Sequence, residues 1–126
     1  MRPINRIQEL NLQLIESASF NNFDGSRVAS DLRFSADAWH GAVMKRDVFA
    51  GKVGYRADLI DLRDIEGDFW NVDTLYLYVD AGFVDSMKEI ADQWNADEVE
   101  VLGLNESFSM LGCGDNTRRV IRVWWD

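Results

Sequence analysis

The spacing of apolar residues changes along the chain from a helical to a strand-like period, and this change limits the fold class most strongly. Early in the chain, apolar residues such as Ile7, Leu10 and Leu14 recur every three to four positions, which is typical of amphipathic helices. The strongest later pattern is Thr74–Asp80, an aromatic and β-branched run without Gly or Pro that predicts a strand. Helices followed by strands in one short chain predict an α+β fold.

The first third of the chain is expected to be helical. A first helix covers about residues 4–19, since Pro3 suits a first helical turn and the turn residues at 20–25 end it. Asp24 and Ser26 are both good N-cap residues, so a second helix is expected to begin at one of them.

The segment that follows allows more than one interpretation. Ser35 offers a cap for a third short helix that carries Trp39 and Val43, but the pattern leaves open whether residues 26–44 form one helix or two. Glycines and a lack of apolar periodicity predict a loop or a short hairpin over residues 47–57.

Strand patterns dominate the second half of the chain. The first elements expected there are a short strand at 59–62, the strand at 74–80, and a helix with Phe83, Met87, Ile90 and Trp94 on one face. A half-exposed strand at 98–101 follows, then a short helix that Asn105 caps and that runs through Leu111 to Gly112, and finally a strand at 118–125. The connection over residues 81–97 is long enough to join two parallel strands. We therefore expect a single α+β domain over residues 1–126, with N-terminal helices followed by a mixed sheet of about four strands that contains one β-α-β crossover.

Acidic residues are unevenly distributed. The chain carries 22 Asp and Glu against 13 Lys and Arg, a formal charge of −9. Residues 57–116 hold fifteen acids against Arg63 and Lys88, a net charge of −13, whereas residues 1–56 and 117–126 each carry +2. The acids alternate with apolar residues, so they are expected on a folded surface rather than in a disordered tail. This balance disfavours direct binding of nucleic acid or of anionic membranes.

The cysteine content and the hydropathy pattern indicate a cellular compartment. Cys113 is the single cysteine and cannot form an internal disulfide, which favours a reducing environment. No window approaches the roughly 18 apolar residues of a membrane-spanning helix, and the first residues lack the apolar region of a signal peptide. We expect a soluble cytoplasmic protein.

Residue types that carry catalysis are scarce. His40 is the single histidine; Asp37 could orient it as a general base, or it could simply be a partly buried helix residue. Cys113 lies between glycines and could expose a thiol, but no local signature supports a Cys–His pair. Phosphate-binding glycine motifs are absent. We therefore expect no catalytic residue and no cofactor.

Carboxylates are the remaining candidates for a metal site. Asp80 follows a strong strand and, with Asp85 and either Asp58 or Asp61, could hold a divalent ion. Asp80 could equally cap the helix that follows it, and this interpretation is the simpler one. No metal ligand is assigned.

Aromatic residues accompany the acids, and exposed Trp and Tyr among charges are typical of protein-recognition surfaces. Whether the five tryptophans are core or exposed is left open. The ten residues expected to contact a partner are Asp58, Asp61, Asp64, Glu66, Asp68, Trp70, Asp73, Glu98, Glu100 and Trp124.

The localised charge favours one function over the others. We expect a small acidic protein-binding module, without enzymatic activity, that inhibits a basic protein or protein complex, for example one that handles nucleic acid. Immunity proteins, antitoxin-like inhibitors and phage anti-defence proteins act in this way, some of them as nucleic-acid mimics. One alternative is a small enzyme or ligand-binding domain that uses carboxylates and a divalent ion. Another is a self-assembling subunit that adds its Val120–Trp125 strand to the sheet of a second copy. Acidity could also serve solubility alone.

Overall fold

The computed structural model describes two segments of the chain, residues 2–46 and 59–126. The loop or hairpin predicted at 47–57 lies outside these described residues, and so does the predicted partner residue Asp58. The α+β class predicted from the sequence is confirmed, because helices pack on a four-stranded sheet.

The two N-terminal helices each begin at a side-chain cap. Asn5 accepts a hydrogen bond from the N–H of Gln8 at 2.9 Å, and Asp24 accepts one from the N–H of Arg27 at 3.3 Å. Each cap satisfies a backbone donor of the first turn, and the prediction for Asp24 is confirmed. The elements of this part are helix α1 (Arg6–Ser17), strands β1 (Ser19–Phe20) and β2 (Phe23–Asp24), and helix α2 (Gly25–Phe34).

The third helix predicted around Trp39 is wrong. Ala36–Ala38 form one 3₁₀ turn, and the chain then extends as strand β3 (Gly41–Lys45). Val43 lies opposite Tyr76 in the sheet, and pairing with a distant strand outweighs a weak local periodicity.

The second described segment supplies the other strands of the main sheet. The strand predicted at 59–62 is wrong, since Ile60–Ile65 form a helix. The predicted cap Asn105 is also wrong, because the helix begins after Gly103, but the left-handed Gly112 (φ 73°) ends it as predicted. The elements of this part are helix α3 (Ile60–Ile65), strand β4 (Thr74–Asp80), helix α4 (Val84–Ala91), strand β5 (Glu98–Val101), helix α5 (Leu104–Leu111) and strand β6 (Arg118–Trp124).

The main sheet has the strand order β3-β4-β6-β5, and every neighbouring pair is antiparallel. The sheet is therefore antiparallel rather than mixed. The predicted crossover is present, since β4 and β5 both run antiparallel to β6 and hence parallel to each other, with α4 in their connection. It is a split crossover, because β6 returns from the end of the chain and pairs between them.

One face of the sheet carries the main core. Leu75 and Ile121 are fully buried there with residues from α1, α2 and α4. Met87 and Trp94 belong to this core as predicted, whereas Phe83, predicted for the same helix face, is 41% exposed in the turn before α4. On the opposite face, α5 covers a smaller apolar cluster around Tyr76, Leu102 and Val120.

Candidate protein-binding surface

The sequence-predicted partner residues fall into two groups. Glu98, Glu100 and Trp124 lie on the outer face of the sheet, on β5 and β6. Asp73 precedes β4 and accepts a hydrogen bond from the Thr74 hydroxyl at 2.7 Å. The residues of the other group lie on α3 or in the segment that follows it, namely Asp61, Asp64, Glu66, Asp68 and Trp70.

The acids on the sheet face surround an internal cation. Arg122 lies opposite Glu100 in the sheet and is 5% exposed. Its Nη1 lies 2.7 Å from the Glu98 carboxylate and 3.7 Å from that of Glu100. These two carboxylates offset part of the cost of burying the Arg122 guanidinium, so Glu98 and Glu100 serve the fold and present less free charge than the sequence suggests.

Two acids of the α3 group are also paired. Asp61 lies 3.1 Å from Nη1 of Arg46. Asp64 lies 2.8 Å from Nε of Arg63 and accepts a hydrogen bond from Asn71 at 3.0 Å. These hydrogen bonds, chiefly the one from Arg63, hold the pKa of Asp64 below its usual range.

Glu66 and Asp68 form the open part of this acidic group. Both are exposed, and neither makes an ion pair with any residue in the two described segments. Asp68 adopts a left-handed backbone conformation (φ 58°) at the turn after α3. These two carboxylates are therefore available to a cation from another molecule.

Helix α3 exposes its apolar side chains instead of burying them. Leu62 and Ile65 are 67% and 64% exposed, and Leu59 directly before the helix is 70% exposed. None of the six residues of α3 is buried. A helix that contributes so little to the core of its own chain presents apolar surface to solvent.

Helix α1 carries a second exposed apolar stripe. Leu12 and Ile15 face the core and are fully buried, whereas Ile7, Leu10 and Leu14 are 75%, 49% and 46% exposed. The exposed residues are spaced at three and four positions and so share one helix face. The helical period that predicted α1 was correct, but these three residues turn away from the core.

A groove of about 530 Å³ joins the two exposed apolar groups. Leu14 and Phe20 line it on one side, and Ile65, Phe69 and Trp70 line it on the other. Asp68 is the acid among its lining residues. The sequence placed Asp68 and Trp70 at a partner surface, and the ten predicted residues included neither Phe69 nor Leu14. Nothing local in the sequence shows which face of α1 remains uncovered, so Leu14 could not be identified from it.

The five tryptophans, which the sequence left open as core or exposed, differ in burial. Trp39, Trp94 and Trp125 are buried, whereas Trp70 and Trp124 are half-buried. Each buried indole N–H has an acceptor: Trp39 donates to Leu32 at 2.9 Å, Trp94 to Asp31 at 2.9 Å and Trp125 to Trp94 at 3.1 Å. Trp70 and Trp124, the two tryptophans among the predicted partner residues, are thus the two that remain partly accessible.

His40 belongs to a different cluster, at the opposite end of the sheet. Its Nε2 lies 2.9 Å from Oδ2 of Asp80, and Nε of Arg118 lies 3.4 Å from the other oxygen of Asp80. The possibility that Asp37 orients His40 on one helix is wrong, because β3 begins directly after His40 and His40 contacts Asp80 instead. The preferred cap role of Asp80 is also wrong, since its side chain makes no capping hydrogen bond.

The His40 cluster ties three strand ends together. Arg118 at the start of β6 lies over the ring of Tyr78 in β4, 5.0 Å from its centroid, and a hydrogen bond with Tyr78 raises the pKa of Arg118. Asp115 lies 3.8 Å from Arg118, and its hydrogen bonds with Thr117 lower its pKa. The side chains of this cluster already contact one another, so we interpret the cluster as structural.

Within residues 2–46 and 59–126, no group of three or more His, Cys, Asp or Glu side chains is arranged to hold a metal ion. Among the helices in these same ranges, none is both long and apolar enough to cross a membrane.

No protein-family model, curated protein or solved structure matches the chain.

Proposed function

We propose that this chain is a small acidic protein-binding module that docks onto a basic protein. The observation that carries the proposal is the clustering of exposed apolar residues. Of the nine large apolar side chains exposed in the described segments, seven belong to α1 or to residues 59–70, and three of these seven, Leu14, Ile65 and Phe69, line the groove. Soluble proteins rarely expose a contiguous apolar patch of this kind unless a partner covers it.

The charge next to the groove supports a basic partner. Residues 59–70 contain four acids and one arginine, and Glu66 and Asp68 have no cation of their own in the described segments. A basic partner would pair with these carboxylates, and their field would accelerate its association at low salt. The apolar groove would supply affinity, and the acids would supply selectivity.

Size and charge favour an inhibitor over other binding modules. Small acidic domains that block basic, nucleic-acid-handling proteins include immunity proteins, antitoxin-like inhibitors and phage anti-defence proteins, some of which mimic nucleic acid. We propose the same kind of role here, without catalysis by this chain, and expect it in the cytoplasm.

The two alternative functions gain no support from the residues on which they depended. Asp80, the centre of the divalent-metal alternative, already contacts His40 and Arg118. The self-assembly alternative needed β6 as a free edge, and this is wrong because β6 pairs with β4 on one side and β5 on the other.

Affinity capture from an extract of the native host tests the proposal. The wild-type chain and the Phe69→Ser variant are immobilised, and the retained proteins are identified by mass spectrometry. Phe34→Ser is the matched control, since Phe34 is 85% exposed but does not line the groove. We expect a basic protein that wild type and Phe34→Ser retain and Phe69→Ser loses.

The captured protein is then purified and titrated against the wild-type chain at increasing salt. The apparent Kd should rise steeply with ionic strength, since screening weakens attraction between exposed charges. A partner that is acidic, or one that Phe69→Ser retains as well as wild type does, would contradict the proposed function.

A further inference from the structure

We propose that the groove beside α1 binds an amphipathic basic α-helix of the partner, a conclusion that rests on the proposed function. The exposed stripe of Ile7, Leu10 and Leu14 gives a straight apolar track along α1, and this track reaches the groove at Leu14, which lines it. From the first to the last of these residues the track is about 10 Å long at 1.5 Å per residue, which is two turns of a helix. A second helix can lie along such a track and pack the side chains at its own positions i, i+3 or i+4, and i+7 against the exposed residues of α1.

The backbone of the groove walls favours a helix over a strand. At the end of α1, the carbonyl of Ile15 accepts the N–H of Ala18, and the carbonyl of Ala18 accepts that of Gly25. On the other wall, the carbonyl of Asp64 accepts the N–H groups of Gly67 and Phe69. A docked strand would need free backbone partners, whereas a helix satisfies its own backbone and needs only side-chain contacts.

The nearest sheet edge, strand β3, is also blocked to an incoming strand near its start. The side-chain amide of Gln8 hydrogen-bonds both the N–H and the carbonyl oxygen of Ala42 in β3, at 2.9 and 2.7 Å. A peptide cannot pair with Ala42 unless Gln8 moves away. Addition of a strand is therefore disfavoured both in the groove and at the neighbouring edge of β3.

Charge argues against a second copy as the occupant. A two-fold interface whose axis passes through the groove beside Asp68, which lines it, would bring Glu66 and Asp68 of one chain close to the same acids of the other. Like charges in an interface are unfavourable. Lys or Arg beside the apolar positions of a partner helix would instead pair with both carboxylates.

Designed peptides test this inference. The probe is a fluorescein-labelled 18-residue peptide of Leu and Lys with Leu at helical spacing. A peptide of the same composition with alternating Leu and Lys tests a strand, and a Leu and Glu helix tests the charge. By fluorescence anisotropy we expect the Leu/Lys helix to bind at least about tenfold more tightly than either comparison peptide, a difference of about 1.4 kcal/mol.

Matched variants locate the binding. Leu14→Ser and Phe69→Ser should each weaken binding of the Leu/Lys helix by about tenfold or more, while Phe34→Ser leaves it unchanged, and circular dichroism verifies that all three variants fold. Equal binding of the strand peptide, or equal loss with Phe34→Ser, would overturn the inference. A wild-type dimer in sedimentation that becomes a monomer with Phe69→Ser would identify a second copy as the occupant and also overturn it.

The experiment separates this inference from the proposed function. If host capture yields a basic partner that depends on Phe69 while the Leu/Lys helix does not bind, the function stands and the helical occupant is wrong. If the captured partner also ignores Phe69→Ser, both proposals are wrong.

Discussion

The side-chain amide of Gln8 pairs with the backbone of Ala42 as a neighbouring strand would. Its Nε2 donates to the carbonyl oxygen of Ala42 at 2.7 Å, and its Oε1 accepts the N–H of Ala42 at 2.9 Å. Strand β3 is an outer strand of the sheet, and unpaired groups on outer strands invite pairing with other chains. From its position on helix α1, Gln8 thus protects this edge against other strands at Ala42.

Replacing Gln8 should both destabilise the protein and expose the edge. We expect Gln8→Ala to lower the free energy of unfolding by about 1–2 kcal/mol in urea titrations, because two hydrogen bonds are lost. Light scattering at high concentration should show more self-association than for wild type. Gln93→Ala, at an exposed position after α4, should change stability by less than about 0.5 kcal/mol, and equal effects of the two substitutions would contradict the edge-protecting role.

The packing of α2 against the end of α1 requires glycine at position 25. A Cβ on Gly25 would lie 1.9 Å from the carbonyl oxygen of Ile15 and 2.3 Å from that of Ala18. Gly25→Ala is therefore expected to cost about 3 kcal/mol or more, or to prevent folding, as judged by thermal and urea unfolding. Gly82→Ala is the matched control because nothing lies within 4 Å of its added Cβ, and a mild effect at Gly25 would show that the helices separate easily.

Ser107 links α5 to the sheet from a fully buried position. Its hydroxyl accepts the N–H of Val120 at 3.1 Å and lies 3.4 Å from the carbonyl oxygen of Leu102. Ser107→Ala leaves the N–H of Val120 without this acceptor, so a loss of about 1–3 kcal/mol in the free energy of unfolding is expected. The exposed Ser109 in the same helix provides the control Ser109→Ala, and an equal loss there would point to helix propensity instead.

Asp80 joins His40 and Arg118 at the ends of three strands, so its removal should loosen that end of the sheet. Asp80→Asn keeps the shape of the side chain but weakens its contacts with His40 and Arg118. We expect a loss of about 0.5–1.5 kcal/mol, modest because all three side chains are partly exposed. Hydrogen exchange should also be faster at Gly41 and Tyr78. Asp85→Asn on α4 is the control, and unchanged exchange in Asp80→Asn would exclude the structural role.

Stability should fall with acidification because three carboxylates are more acidic in the folded chain. Hydrogen bonds chiefly from Arg33, Arg63 and Thr117 lower the pKa values of Glu9, Asp64 and Asp115. Their contribution is complete above the unfolded pKa of about 4, and it is lost as the pH falls through the lower folded values, since the unfolded chain then binds more protons.

Urea titrations from pH 7 down to pH 2.5 measure this dependence. Glu9→Gln should show a shallower loss of stability below about pH 4 than wild type, because one of the three groups no longer titrates. Superimposable pH profiles would mean that the ion pair of Glu9 with Arg33 persists in the unfolded chain or contributes nothing.

Local sequence patterns correctly predicted the elements in which the apolar period and the residue propensities indicate the same structure. Strand β4, helix α4 and strand β6 were predicted close to their observed bounds, because period and propensity agree over their whole lengths. The segments around Trp39 and Leu59 were assigned to the wrong element type. A short apolar run fits a helix or a strand equally well, and in β3 the distant partner β4 decided between them.

The candidate site was only partly predictable for a related reason. The acidic character of residues 59–70 is visible in the sequence, and so is Trp70. The sequence does not show which of the acids are neutralised by cations, since Arg122 reaches Glu98 only after β6 pairs with β5. The groove was missed because its walls, Leu14 and Phe69, are 55 positions apart in the chain.

The sequence by itself determined that the chain forms an α+β fold with helices first, and that its negative charge is concentrated in the later part. The tertiary structure alone decided the strand order, the split crossover and the exposed stripe of α1. The physical reason is that a local pattern shows whether an element is amphipathic but not what lies against it. Burial depends on contacts between distant residues, and here those contacts cover Leu12 and leave Leu14 open to a partner.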